Sequence, residues 1–206
     1  MAITLNFSIT IPDRLTWPFV VLALWYRRVR YGYAFRRIPL TQGRYAIVDP
    51  DDYQRLNEHK WHAKKFRNTY YVARSKRIGT KKWIPVQMHR EIINPPDHLY
   101  VDHINRNGLD NRKANLRLAT CAQNVINRAI IKRENSPSKY KGVTWHKHAK
   151  KWHAQICYAG KHKTVGYFKD ELEAAKAYDK AAKEYHGEFA VLNVPDSPQR
   201  TQETQR

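Results

Sequence analysis

Val101 to Asn127, VDHINRNGLDNRKANLRLATCAQNVIN, is the stretch whose reading decides the fold of this chain. Leu99 to Ile104 (LYVDHI) reads as a short strand, Asn105 to Ala114 as a polar loop, and Leu116 to Thr120 as a second strand. A helix follows. Thr120 with Gln123 three residues later forms a capping box, and Ala122, Val125, Ile126, Ala129 and Ile130 give an apolar stripe expected to lie on the hairpin. Asn124 then falls in the first helical turn, beside strands that carry Asp102, His103 and Asn115.

The residue types at these positions suit one chemistry. Asp102 and Asn124 offer hard oxygen ligands, appropriate to a magnesium-like ion that keeps several waters and takes further oxygens from a phosphate. His103 is the natural general base, because an unperturbed imidazole titrates near neutrality; with one nitrogen held by the carbonyl of Asn115, the other can take a proton from water. The helix N-terminus adds partial positive charge where a phosphate would sit. Neighbouring residues on a regular strand face opposite ways, so Asp102 and His103 can serve one phosphate only where the strand ends or twists. The competing reading is a polar hairpin with an incidental Asp-His pair.

The stretch resembles the HNH nuclease family in its Asp-His…Asn…Asn form, found in phage and intron-encoded homing endonucleases. Asn115 stands twelve positions after His103, and Asn124 nine after Asn115, within DHINRNGLDN and NLRLAT text of the family type. The resemblance implies a ββα-metal finger in which Asp102 and Asn124 hold one divalent ion, Mg2+ or Mn2+, His103 activates water and Asn115 orients His103. It implies hydrolysis of a phosphodiester to a 5′-phosphate and a 3′-hydroxyl.

Composition agrees with a polyanionic partner. Lys and Arg total 38 against 18 Asp and Glu, a formal charge of +20 and a pI near 10.1. The basic residues alternate with Trp, Tyr and His rather than forming one tail. The two cysteines, Cys121 and Cys157, form no CxxC pair, so neither a disulfide framework nor a zinc ribbon is indicated, no zinc is expected, and a reducing compartment fits.

Trp17 to Tyr26 (WPFVVLALWY) is apolar and is followed by Arg27, Arg28 and Arg30. It is too short to span a bilayer, which takes roughly 20 apolar residues, and no small-residue cleavage site follows. An interfacial helix, a packing helix and an oligomer contact all remain open, and residues 1–35 carry no assigned role. From Arg37, RIPLT, QGR and YAIVD read as a β-hairpin; Asp49 caps a short helix to Asn57 with Pro50 at its first position. Lys60 to Arg77 alternates aromatic and basic residues around an Arg67-Asn68 turn, so either it packs as core or one face meets phosphates. Met88-His89-Arg90 looks like a helix start. Arg90 is a candidate phosphate contact, against plain surface or core placement; Arg117, on the strand beside Asn115, is the better one.

Arg128 to Ser138 contains a Glu-Asn-Ser-Pro-Ser break of linker character. Beyond it Lys139 to His146, Lys151 to Tyr158 and Lys161 to Phe168 are three alternating strands. Asp170 then caps a helix whose Ala174, Ala175, Tyr178, Ala181, Ala182 and Tyr185 share a face, ended by Gly187. Alternation turns Trp152, Ala154 and Ile156 toward that helix and His153, Gln155 and Cys157 outward. This region, YKGVTWH…KWHAQI…VGYF…EAAKAYDKAAKEYHG, resembles the ethylene-response-factor (ERF) or Apetala-two DNA-binding domain over 138 to 194. In that family the sheet enters the major groove. The matching contact positions are Lys141, Thr144, His146, His148, Gln155 and His162; where Thr and His replace the family's arginines, its guanine preference does not carry over.

The expected architecture is therefore α+β: an apolar and basic segment (1–35), an HNH nuclease domain with a small β-rich region before its ββα-metal finger (36–130), a linker (131–138), a three-stranded antiparallel sheet packed on one α-helix (139–194) and a polar tail (195–206). The expected function is a site-directed, homing-type endonuclease acting on double-stranded DNA, with no small-molecule substrate and a membrane partner unlikely. The resemblance implies a cytoplasmic, DNA-associated protein of bacterial or phage origin. The alternatives are a DNA-binding transcriptional regulator with an inactive HNH region and, more distantly, an RNA-directed nuclease.

Overall fold

In the computed structural model, which describes residues 13–66, 69–128 and 137–194, the chain is a mixture of five α-helices and several small sheets. Helix α1 runs Asp13–Tyr31 and takes up the 17–26 apolar run. Trp17, Phe19, Leu22 and Trp25 on it are all exposed, and among the described residues no helix is long and apolar enough to cross a membrane.

Strands β1 (Arg36–Pro39) and β2 (Tyr45–Val48) pair antiparallel as their alternation requires, Arg36 opposite Val48, and bury Ile38, Ala46 and Val48. Helix α2 (Pro50–Asn57) starts with Pro50 because a proline's missing N–H costs nothing at a helix start. Asp49 holds the N-cap position as expected, yet its carboxylate does not cap: Oδ2 accepts the backbone N–H of Lys113 at 2.7 Å. Strands β3 (His62–Phe66), β4 (Thr69–Ile78) and β5 (Lys82–Gln87) form a three-stranded antiparallel sheet in that order. The expected Arg67-Asn68 turn lies outside the described residues. Helix α3 (Met88–Ile93) follows. Ile38, Val48, Leu56, Trp61, Val72, Met88 and Leu109 make the core, and the Trp61 indole N–H donates to the Leu56 carbonyl at 2.7 Å, satisfying the one polar atom such a ring brings inside.

Strand β6 (Tyr100–His103) and strand β7 (Leu116–Ala119) pair, and helix α4 (Cys121–Ile126) follows directly. The loop between them departs from expectation. Residues 108–112 are buried rather than solvated, because Asp110 bridges to Ile47 of β2 and Asn111 donates its N–H to the Ile47 carbonyl at 2.7 Å. Asp110 then pairs with Arg112, whose Nε and Nη2 reach its two oxygens at 2.7 and 2.6 Å. Gly108 fits because a Cβ there would lie 2.4 Å from the Tyr70 carbonyl.

Strands β8 (Val143–His146), β9 (Lys151–Tyr158) and β10 (Lys161–Phe168) form an antiparallel sheet with β9 central, and helix α5 (Glu171–His186) packs on it. The Asp170 carboxylate caps α5 through the Glu173 N–H at 2.9 Å, and Gly187, at φ +53°, ends it. Ala174, Ala175, Tyr178, Ala181 and Ala182 are buried against Val143, Ala154 and Ile156 as the alternation predicts. A 3-10 turn, Gly187–Phe189, completes the element. Both cysteines are free and exposed. The chain divides into two compact units, residues 1–94 with 107–116, and residues 95–106 with 117–206; the division passes through the 101–127 stretch itself.

Candidate functional site

Strand β6 ends at His103, and the next turn closes at once, with the Arg106 N–H donating to the His103 carbonyl at 2.8 Å. Both residues are inside, Asp102 at 6 % and His103 at 4 % exposure. The capping box forms as read, the Thr120 hydroxyl accepting from the Gln123 N–H and the Gln123 side chain returning to the Thr120 N–H at 2.8 Å. Helix α4 is short, however. Ala122 and Val125 are exposed and Ile126 half-buried, so the expected apolar stripe does not cover the hairpin; Ala129 and Ile130 lie outside the described residues.

What turns inward at the end of α4 is an amide. Asn127, which the sequence reading did not single out, is buried, and its Nδ2 donates to both Asp102 oxygens and to the His103 carbonyl, each at 2.9 Å. Asn124 lies three residues earlier and is half-buried, on the same side of the helix as Asn127 by the i, i+3 rule. Helix α4 packs against β6. Asn115 is also buried and donates its Nδ2 to the Asp110 carbonyl at 2.7 Å, within the first compact unit. Arg90 is half-buried on α3 in that unit.

Arg117 does not stand free for a phosphate. Its Nε and Nη2 donate to Asp102 Oδ2 at 3.0 and 2.9 Å, its Nη1 donates to the Glu188 carbonyl at 2.6 Å, and the Phe189 ring lies 3.8 Å from its guanidinium carbon. A carboxylate outcompetes water for a guanidinium fork when both are shielded, and here both are. Asp102 Oδ2 receives three N–H groups while Oδ1 receives only the Asn127 amide, so Oδ1 keeps lone-pair capacity. One carboxylate and one carboxamide are hard donors, and among the described residues no group of three His, Cys, Asp or Glu side chains converges on a metal position. As donor types, the Asp102 carboxylate and the Asn124 carboxamide suit a hard cation.

The β8–β9–β10 sheet carries the second group of candidates. Thr144 stands opposite His153, Gln155 opposite Thr164, and His162 opposite Cys157, so these residues share the face turned away from α5. His146 and His148 lie at the same end, their rings 6.2 Å apart. The reading missed Tyr167, whose ring stacks on His153 at 4.7 Å while the His146 ring meets it edge-on at 5.2 Å. Burial and then the neighbouring His146 hold the His153 imidazole below its ordinary value. Lys141 departs from the expected outward position: its ammonium donates to the Ile126 carbonyl at 2.6 Å, at the C-terminal end of α4, where a cation is favoured. Burial, and then Arg106, push that ammonium below the usual lysine range.

The HNH endonuclease family model matches residues 94–126. An uncharacterised HNH endonuclease of Acanthamoeba polyphaga mimivirus is 32 % identical over 161 residues, 75 % of this chain and 78 % of its own length. Protein 3.8 of Escherichia phage T7 is 33 % identical over 95 residues, 46 % of this chain and 76 % of its own. An ethylene-responsive transcription factor of Arabidopsis thaliana is 45 % identical over 58 residues, 27 % of this chain but 14 % of that protein. No solved structure matches. With the hairpin, its following helix and the Asp-His pair inside the matched segment, and with a relative aligned over most of both chains, this chain belongs to the HNH endonuclease family.

Proposed function

We propose that the chain is a site-directed DNA endonuclease of the homing type, in which the 101–127 stretch is a ββα-metal finger and the β8–β10 sheet an ERF-like module that docks in the major groove. The observation that carries this reading is the burial of the consecutive residues Asp102 and His103 where β6 ends, in the stretch that continues into the helix bearing Asn124. In it Asp102 and Asn124 hold one Mg2+ or Mn2+, which when bound supplies charge stabilisation for the phosphate and the departing oxygen. His103, oriented by Asn115, takes a proton from a water delivered with the phosphate; the oxygen adds to phosphorus and the bond to the 3′-oxygen breaks, leaving a 5′-phosphate and a 3′-hydroxyl. Burial of His103 keeps bulk water from competing for the imidazole. Arg90 contacts a phosphate. Thr144, His146, His148, Gln155 and His162 face the DNA from the sheet, which tethers the target and raises its local concentration at the finger.

Supercoiled plasmid incubated with the protein and Mg2+, against an EDTA control, tests the reading. His103→Ala is expected to lower nicking by about 100-fold or more, the ordinary contribution of a general base, and Asp102→Ala to abolish it, both with DNA binding retained. Nicking at the wild-type rate by either variant overturns the assignment. A second reading, a DNA-binding regulator with an inactive HNH region, is favoured by the Arg117–Asp102 ion pair, since the guanidinium already balances the carboxylate's charge. Plasmid binding without nicking at any Mg2+ or Mn2+ concentration is its signature.

A further inference from the structure

Arg117 joins two parts of the chain that are far apart in sequence. One edge of its guanidinium grips a single oxygen of Asp102, Oδ2, through Nε and Nη2. The Nη1 edge donates to the Glu188 carbonyl, and one face lies on the Phe189 ring at 3.8 Å. The group is well shielded, with the Arg117 side chain 11 % and Phe189 5 % exposed. The Glu188 carboxylate stands 3.7 Å from Nη1 but is 74 % exposed, so solvent screens it and the backbone carbonyl and the ring do the holding. The 3-10 turn is itself fixed, since Gly187 ends α5 at φ +53° and the Ala190 N–H returns to the Gly187 carbonyl at 3.1 Å.

We propose that Arg117, seated by the Gly187–Phe189 turn, is a positioning residue that keeps Asp102 a one-oxygen ligand and thereby sets which cation the finger accepts. The inference rests on the metal-ligand role proposed for Asp102. A carboxylate with one oxygen committed to a guanidinium has one left for a metal. Mg2+ and Mn2+ are satisfied by one oxygen in octahedral geometry, whereas the larger Ca2+ gains from two-oxygen chelation and from more ligands. Holding Oδ2 therefore works against Ca2+ selectively, and the positive charge beside the site weakens every cation somewhat. Asn127 does not substitute for this restraint, because its single amide nitrogen sits between both oxygens and distinguishes neither.

The test is cation affinity of the full chain without DNA, Mn2+ followed by electron paramagnetic resonance and Ca2+ by calorimetry, in wild type, Arg117→Gln, Arg117→Lys, Phe189→Ala and Asp102→Ala. Arg117→Gln is expected to tighten Ca2+ by about tenfold, the scale of effects from groups that orient a metal ligand, and Mn2+ by clearly less. Arg117→Lys, which keeps the charge but not the fork, is expected between the two. Phe189→Ala, which does not touch Asp102 and preserves the guanidinium, shifts the Ca2+ to Mn2+ ratio in the same direction. An unchanged ratio in Arg117→Gln, with binding lost in Asp102→Ala, overturns the inference alone. Retention of Mn2+ binding by Asp102→Ala overturns the metal-ligand reading and this inference with it. A fold defect without loss of selectivity would lower both affinities together, which the ratio excludes and a thermal melt of each variant checks.

Discussion

Replacing Asn127 with Ala removes the amide that closes the end of β6. Its two N–H groups serve three acceptors, Asp102 Oδ1 and Oδ2 and the His103 carbonyl, each at 2.9 Å and all buried. A hydrogen bond to a charged acceptor contributes about 1.5–3 kcal/mol, while the His103 carbonyl keeps the Arg106 N–H when the amide is gone. Arg117 still neutralises Asp102, so the carboxylate loses part of its support rather than all of it. The expected destabilisation is about 3 kcal/mol, read as a lower urea midpoint at unchanged slope. Asn127→Asp sharpens the test, because it keeps the shape and faces one carboxylate with another. The introduced carboxyl would have a folded pKa raised above its unfolded value, so its stability contribution is complete at low pH and lost as pH rises through the raised value. That variant should accordingly regain ground on wild type as the pH falls from 7 toward 4. An Asn127→Ala variant that unfolds within about 0.5 kcal/mol of wild type, the range of an ordinary surface substitution, would refute the network.

Other outcomes follow from the two cores. Gly142→Ala should cost more than about 2 kcal/mol in a thermal melt, since φ there is +73° and a Cβ would lie 2.2 Å from the Tyr178 ring and 2.6 Å from the Gln155 carbonyl. Asp110→Ala leaves the Arg112 guanidinium buried without its carboxylate and should lose about 3–5 kcal/mol by urea unfolding, whereas removing both partners together should cost less. The Tyr178 phenol is pushed up to about 12 by burial, then by Asp179 and Cys157. Its folded value is raised, so the stability it contributes is complete below pH 10 and lost as the pH rises toward 12; Tyr178→Phe should flatten that alkaline loss.

Where local chemistry decides structure, the sequence was enough. Period-two alternation in 143–168, the Asp170 and Thr120 caps, and Pro50 each act within a few residues, and each produced the element read from it. Strand β5, which the sequence reading did not assign, carries Pro85; the sheet order puts β5 at an edge, where a proline without an N–H is tolerated. Residues 108–112 read as a solvated loop because Asp110, Asn111 and Arg112 are polar, and nothing local says that Asp110 and Arg112 satisfy each other inside. The same limit governs the site. Spacing singled out Asp102, His103, Asn115 and Asn124, but the contacts of Arg117, Asn127 and Lys141 depend on partners brought near by tertiary packing, as much as 71 residues away for Arg117 and Glu188. Strand position suggested phosphate for Arg117 and the ERF resemblance suggested DNA for Lys141, and packing ties both to the protein.

The two exposed thiols are reporters already in place. Cys121 opens the helix that bears Asn124, and Cys157 stands on the face of β9 that also carries Gln155. With no other cysteine in the sequence, a maleimide marks each surface without any engineering, and the two modified peptides separate by mass. Slower alkylation in the presence of a duplex, scored peptide by peptide, then tells whether nucleic acid shields the helix, the sheet or both.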